Sequence, residues 1–149
     1  MTKTKSIIMM TLMTLFLLPA LASAQESLHI APYFDGRFNK SRQVVTLLAK
    51  GKPLKSYNLT LYRSMTFEST MPVTQKIEEA VLADGKQAID KETGYIDGRL
   101  LYGFYCLKPV KGQKQPLRYI FWRRTDEKCI LVYMEGSASL DSIKKMFQK

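Results

Sequence analysis

The chain has 149 residues, of which 46% are hydrophobic and 11% aromatic, and its formal net charge is +10. This length fits one domain with a genuine hydrophobic core, and the aromatic content argues against intrinsic disorder. The basic residues are scattered along the chain, which is more typical of a solvated surface than of a nucleic-acid site.

Residues 1–24 have the organisation of a secretory signal peptide. Two lysines precede an apolar run over residues 7–18, and a small-x-small pattern ends at Ala24, so cleavage is expected before Gln25. As a helix the apolar run would span about 18 Å, too short for a hydrocarbon core of about 30 Å. The sequence therefore predicts a periplasmic or secreted protein without a transmembrane span after cleavage. The mature chain would keep 125 residues and a charge of +8, because the leader carries two lysines and no acids.

Residues 25–149 are predicted to form a single domain that begins with a short helical turn over residues 28–34, packed as a lid. Two runs with mostly alternating apolar residues follow, over residues 42–50 and 57–67. This alternation is typical of strands with one buried face. The Gly51-Lys52-Pro53 break between them predicts a hairpin.

The clearest helix is predicted over residues 70–85, with Thr70 as its cap and Pro72 in its first turn. Gly85 is expected to end it in a left-handed conformation. Helical spacing gives it an apolar face of Val73, Ile77, Ala80 and Val81, and directs Gln75, Lys76, Glu78 and Glu79 to water.

Residues 86–98 are polar and turn-rich, with one short strand expected around Tyr95. Three strong strands, over residues 99–107, 117–123 and 128–134, are then expected to form an antiparallel meander. A second amphipathic helix should close the chain, capped by Ser139.

These elements predict an α+β fold, with an antiparallel sheet of about five strands and two amphipathic helices packed on it. Both faces of the last three strands are apolar, so both need cover. The helices could straddle the sheet, or the second face could be an interface or a ligand groove.

Cys106 and Cys129 are the only cysteines. An exported pair suggests a disulfide. In a simple meander, however, they lie two strand spacings apart, about 9.6 Å, beyond the usual Cα separation of about 4.4–6.8 Å. Buried free thiols are the alternative. A small hydrolase or thiol-redox protein using these thiols and His29 is a second hypothesis for function, although nothing in the sequence brings the three together.

No pattern of metal ligands or of cofactor binding stands out, so neither a metal nor a cofactor is predicted. Asp90, Glu92 and Asp97 are close in sequence, as carboxylates for glycoside hydrolysis would need to be in space. Polar loops commonly have the same composition, and we predict no catalytic residues.

The most suggestive surface feature is the interleaving of aromatic and basic residues over residues 118–124. On a strand, Arg118, Trp122 and Arg124 share one face, where a tryptophan between arginines could stack on a ring and hold an anion. The alternative is that the arginines extend over the core while Trp122 packs under a helix. The candidate ligand-binding residues are Arg118, Trp122, Arg123 and Arg124.

Several stretches together carry a resemblance to a known family; they are Gly51-Lys52-Pro53-Leu54-Lys55, residues 61–67, residues 81–86, residues 91–95 and Tyr133-Met134-Glu135-Gly136. They resemble a family of small exported proteins of unknown function from Bacteroides-type Gram-negative bacteria. The resemblance implies a periplasmic or secreted location and one compact domain, and it transfers no catalytic residues.

From the residues, the first expectation for function is a non-enzymatic exported module that binds an envelope or extracellular protein or an anionic glycan, and not nucleic acid. A homodimer formed edge to edge, or through a spare sheet face, is the third hypothesis.

Overall fold

The structure is a computed structural model that describes Gln25, residues 27–35 and residues 44–148. The expected signal peptide, residues 1–24, lies outside the described residues and stays a prediction. The described part contains six strands and two α-helices, and short 3-10 helices at Ala31–Phe34 and Lys52–Tyr57. The strands are β1 (Val44–Lys50), β2 (Leu59–Glu68), β3 (Ala88–Ile96), β4 (Arg99–Leu107), β5 (Leu117–Arg124) and β6 (Lys128–Gly136), and the helices are α1 (Thr74–Gly85) and α2 (Leu140–Phe147).

The strands form one antiparallel sheet in the order β1-β2-β6-β5-β4-β3. The α+β class, the β4–β6 meander and the β1–β2 hairpin are confirmed. Gly51 begins the hairpin connection with a φ of 74°, which a residue with a side chain rarely adopts. Because β2 also pairs with β6, the last strand lies inside the sheet. It joins the β1–β2 hairpin to the β4–β6 meander.

The sheet has six strands rather than about five, because β3 is a full strand of nine residues. The sequence predicted only a short strand here, since the segment lacks apolar alternation. β3 is an edge strand, and its exposed Asp90, Lys91 and Glu92 are the kind of charged residues that protect an edge from pairing with other chains. An edge exposed in this way needs no apolar face.

Both ends of α1 differ from the prediction, whereas the start of α2 agrees with it. α1 begins at Thr74, after Val73, and has no side-chain cap at its start, so Thr70 does not cap it. Gly85 is the last helical residue and is not left-handed. Its lack of a side chain serves packing, because an added Cβ would lie 2.4 Å from Cε1 of Tyr105. In α2 the predicted cap is confirmed, with Ser139 Oγ accepting a hydrogen bond from Ser142 N at 3.2 Å.

The two helices cover opposite faces of the sheet, which therefore has a core on each side. On the α1 face, α1 and residues 28–34 pack against Phe67, Trp122, Leu131 and their neighbours. On the α2 face, α2 packs against Phe104, Tyr119, Phe121, Val132 and their neighbours. Because both faces of the sheet are covered, β4, β5 and β6 have apolar residues at odd and at even positions.

Candidate functional site

Trp122 is fully buried on the α1 face, with 0% of its surface exposed. Its indole N–H donates a hydrogen bond to the Leu100 carbonyl at 3.2 Å, and its ring lies 6.2 Å from that of Phe67. A side chain in this position offers no surface on which a ligand could stack. The structure therefore has the alternative arrangement, in which Trp122 packs under a helix.

Two of the three candidate arginines are held by the protein itself. Arg118 is buried, and its Nε donates to the Lys108 carbonyl at 2.9 Å. Arg124 Nε lies 3.4 Å from the Leu100 carbonyl and 3.8 Å from Glu78 Oε1. Trp122, Arg118 and Arg124 therefore make their contacts within the fold, and Trp122 is not presented between two arginines at the surface.

Arg123 points to the other face of the sheet and lines a cleft of about 560 Å³ on the α2 face. β4 and β5 form the floor, the end of α2 forms one wall, and Glu92 and Asp126 contribute acidic groups to the lining. Among the described residues, the Arg123 guanidinium has neither a hydrogen-bond nor an ion-pair partner, and the residue is exposed. This is the one candidate arginine whose charge remains available to a ligand.

The floor of the cleft is aromatic. The ring centroids of Phe104 and Phe121 lie 4.6 Å apart and those of Phe121 and Phe147 4.2 Å apart, both in stacked arrangements. Tyr102 continues the row, with its ring 6.3 Å from that of Phe104. Phe104 and Phe121 are buried, so the partly exposed rings of Tyr102 and Phe147 form the accessible part of this base, with a cation at its rim. The volume of the cleft is within the range of small-molecule sites.

The cleft follows from the register of β4 and β5. Phe104 pairs with Phe121, and Tyr102 pairs with Arg123, so these four side chains form two adjacent rows on one face. Next to β3, Gly94 pairs with Tyr102 and Tyr95 pairs with Leu100. Leu101 is therefore an extra residue in β4, and this irregularity directs Leu100 to the α1 face and Tyr102 to the α2 face.

The rim of the cleft contains a cross-linking ion pair. Lys144 on α2 donates to a carboxylate oxygen of Glu92 on β3, and this bond raises the pKa of Lys144. Glu92 is thereby partly neutralised, so it opposes an incoming anion less than a free carboxylate would. The pair also holds α2 next to the edge strand.

Glu78 was expected to face water, and this expectation is wrong. The residue is 5% exposed, and its Oε2 lies 2.8 Å from Arg99 Nε, while Arg124 approaches the other oxygen. Its hydrogen bond and charge raise the pKa of Arg99. Helical periodicity alone could not reveal this, because the two arginines come from β4 and β5.

His29 makes a polar contact with α1. Its Nδ1 lies 2.8 Å from Asp84 Oδ1, and its side chain is 63% exposed. The buried Asp84 carboxylate also accepts the backbone N–H of His29 at 2.8 Å and that of Ile30 at 3.0 Å. Asp84 thus anchors the N-terminal segment to α1, a role that sequence reasoning missed.

The two cysteines are free and buried, and they lie on opposite faces of the sheet with β5 between their strands. No disulfide joins them. Burial raises the pKa of Cys106, and it raises the pKa of Cys129 to about 11. The reactive thiolate is therefore scarce near neutral pH.

The three carboxylates that are close in sequence lie at the β3 edge of the sheet. Asp90 and Glu92 are exposed on β3, and Asp97 lies in the β3–β4 turn. Of the three, only Glu92 lines the cleft.

Within the described ranges, no group of three or more His, Cys, Asp or Glu side chains is arranged to hold a metal ion. In the same ranges, no helix combines the length and the apolar character needed to cross a membrane.

We expect thiol titration to show two unreactive cysteines in the native protein. Protein purified without reductant should react slowly with an aromatic disulfide reagent near neutral pH, and both thiols should react after unfolding in guanidinium chloride. A reading of no thiols after unfolding would indicate a disulfide and contradict the strand order.

Fold and cleft together define a small α+β protein whose sheet is covered by one helix on each face. Its α2 face holds a cleft with aromatic side chains and an arginine that has no ion-pair partner within the described part of the chain. The chain belongs to DUF6108, a family of unknown function, which it matches over residues 17–147. No curated protein matches the chain, and no solved structure does.

Proposed function

We propose that the protein is a non-enzymatic binding module of the bacterial envelope, exported by its leader to the periplasm or beyond. Its proposed site is the cleft on the α2 face. The observation that carries this proposal is the Arg123 guanidinium, which has no hydrogen-bond or ion-pair partner among the described residues and lies beside the partly exposed rings of Tyr102 and Phe147.

The chemistry of the cleft favours a ring-bearing anion. Aromatic side chains bind flat apolar or sugar rings through their faces and edges, and arginine recognises carboxylates and sulfates through parallel N–H donors. An acidic sugar unit of an envelope glycan has both features. An aromatic or acidic side chain of a partner protein would present the same chemistry.

Export is supported by the composition of the leader, and the contacts of Gln25 are compatible with cleavage before it. Gln25, the expected new N-terminus, is buried, and its Oε1 accepts a hydrogen bond from Arg63 at 2.9 Å. Cleavage before Gln25 would leave this contact intact, together with the anchored segment that follows. The Bacteroides-type origin suggested by the resemblance fits an envelope protein of this kind.

Isothermal titration calorimetry with three probes tests the proposed site. We expect naphthalene-2-sulfonate to bind more tightly than neutral 2-naphthol, because only the sulfonate can pair with Arg123. D-glucuronate, the third probe, distinguishes an acidic sugar from an aromatic anion. Arg123→Gln should weaken binding of the anionic probes about tenfold or more, since a charge-assisted hydrogen bond contributes about 1.5–3 kcal/mol.

Lys111→Gln is the matched control, because it removes one positive charge from an exposed loop away from the cleft. It should leave the affinity unchanged. Equal weakening by both variants would show that affinity depends on net charge and not on Arg123, and would contradict the proposed site. The absence of binding by all three probes would overturn the proposal.

A further inference from the structure

The two edges of the sheet differ in how they are protected. β3, at one edge, carries Asp90, Lys91 and Glu92 in its middle. β1, at the other edge, has the sequence VVTLLAK and no charge before Lys50. Edge strands of soluble monomers are usually interrupted by charges or proline, so β1 lacks the protection that β3 has.

β1 also exposes large apolar side chains. Val45 is 68% exposed, Leu47 58% and Leu48 55%. Val45 and Leu47 lie on the α2 face beside Thr66 and Ser64 of β2, whereas α2 packs over the other end of this face. Leu48 lies on the α1 face, so both faces of this edge are apolar and open.

The backbone of β1 is suited to a further strand. Gly51 N donates to the Thr60 carbonyl of β2, and the alternation of an antiparallel ladder then turns the N–H and C=O groups of the even-numbered residues of β1 to the open edge. Antiparallel pairing of β1 with itself, centred on Leu47, places Thr46 opposite Leu48 and Val44 opposite Lys50. Each of these pairs joins two outward-facing residues, so all seven residues can take part in one ladder.

We propose that β1 is a homodimer interface, in which a second copy of the chain adds its own β1 antiparallel to this one around a two-fold axis. The six-stranded sheet would thereby continue across the axis into the sheet of the partner. A two-fold arrangement uses the same patch on both copies and closes on itself, so it yields dimers and not fibres.

Side-chain pairing within β1 favours a second copy over an extended peptide of another protein. In the Leu47-centred register Leu47 meets its own equivalent, Val45 meets Ala49, and no charge faces a like charge. The expected mature chain has a net charge of +8, which opposes association of two copies, so added salt should strengthen the dimer. An acidic peptide bound to the same edge would instead be weakened by salt.

Sedimentation equilibrium of the full mature protein, at low and high salt, tests the interface. We expect a concentration-dependent dimer that tightens with salt. Leu47→Lys and Leu47→Glu should each raise the dissociation constant about tenfold or more, because each buries two like charges across the axis in place of two leucines. An equimolar mixture of the two variants should recover the dimer, since lysine would then face glutamate.

Ile89→Lys is the matched control, because Ile89 is more than half exposed on the opposite edge strand, β3. It should leave the dimer unchanged, and circular dichroism should show native folding for all variants. Wild-type protein that remains monomeric at its highest soluble concentration would overturn the proposal. A dimer insensitive to Leu47 substitution, or variants that fail to recover on mixing, would overturn it as well. The calorimetric test of the cleft is independent of this one, because the cleft lies at the β3 end of the sheet and the proposed interface at the β1 end.

Discussion

Replacing Trp122 with alanine is expected to lower the free energy of unfolding by about 3–5 kcal/mol, the usual cost of emptying a buried aromatic site. The indole fills the core between the sheet and α1, and its N–H satisfies the Leu100 carbonyl. Domains of this size are stable by about 5–15 kcal/mol, so this substitution removes a large part of the margin. Urea unfolding followed by far-ultraviolet circular dichroism measures the loss, because the signal does not depend on the tryptophan.

Trp122→Phe should cost clearly less, because it keeps most of the buried ring surface and loses only the hydrogen bond. Tyr57→Ala is the exposed control, since Tyr57 is half exposed on the 3-10 helix before β2, and it should change stability little. A Trp122→Ala protein of full stability that loses ligand binding would place Trp122 in a binding site and contradict its burial.

Asp84→Ala is expected to destabilise the protein by about 2–5 kcal/mol, because it leaves the buried N–H of Ile30 and the N–H of His29 without their acceptor. The whole N-terminal segment depends on this carboxylate, together with the apolar contacts of Leu28 and Phe34. Hydrogen exchange should show lost protection at the Ile30 amide before the strands are affected.

Glu79→Ala is the control for Asp84→Ala, since Glu79 lies on the exposed side of the same helix. It should preserve both stability and exchange at Ile30. Unchanged protection of the Ile30 amide in the Asp84→Ala protein would show that the carboxylate does not anchor the segment.

The parts of the fold that could be predicted are those encoded within a few residues. The β4–β6 meander and the Ser139 cap of α2 are confirmed because short apolar and aromatic runs separated by polar connections, and a capping serine, are local signals. The start of α1 lies three residues later than predicted, with Val73 in place of Thr70 at the cap position, since Thr70 and Pro72 have the residue types of a helix start. β3 was underestimated because an edge strand with charged residues lacks the alternation of a half-buried strand.

The candidate site could be predicted only in part. The interleaved aromatic and basic residues of β5 drew attention to a strand that lines the cleft, but mainly to the face that carries Trp122. The residues on the other face of β5, Phe121 and Arg123, line the cleft. Phe104 and Phe147 complete the lining. These residues come from β4 and α2, and no short-range pattern specifies that they meet.

The burial of Glu78 illustrates the same limit. Its place on α1 suggested exposure, whereas its two arginine partners lie on neighbouring strands. A charged residue is buried where tertiary structure supplies a counter-charge, and this compensation cannot be read from the periodicity of one helix.

The most direct test of the proposed binding role is nuclear magnetic resonance mapping of the wild-type protein titrated with naphthalene-2-sulfonate. The cleft predicts that saturable chemical-shift changes concentrate at Tyr102, Phe121, Arg123 and Phe147, while the amides of β1 remain unaffected. Changes confined to other surfaces, or shifts that never saturate, would contradict a ligand site on the α2 face.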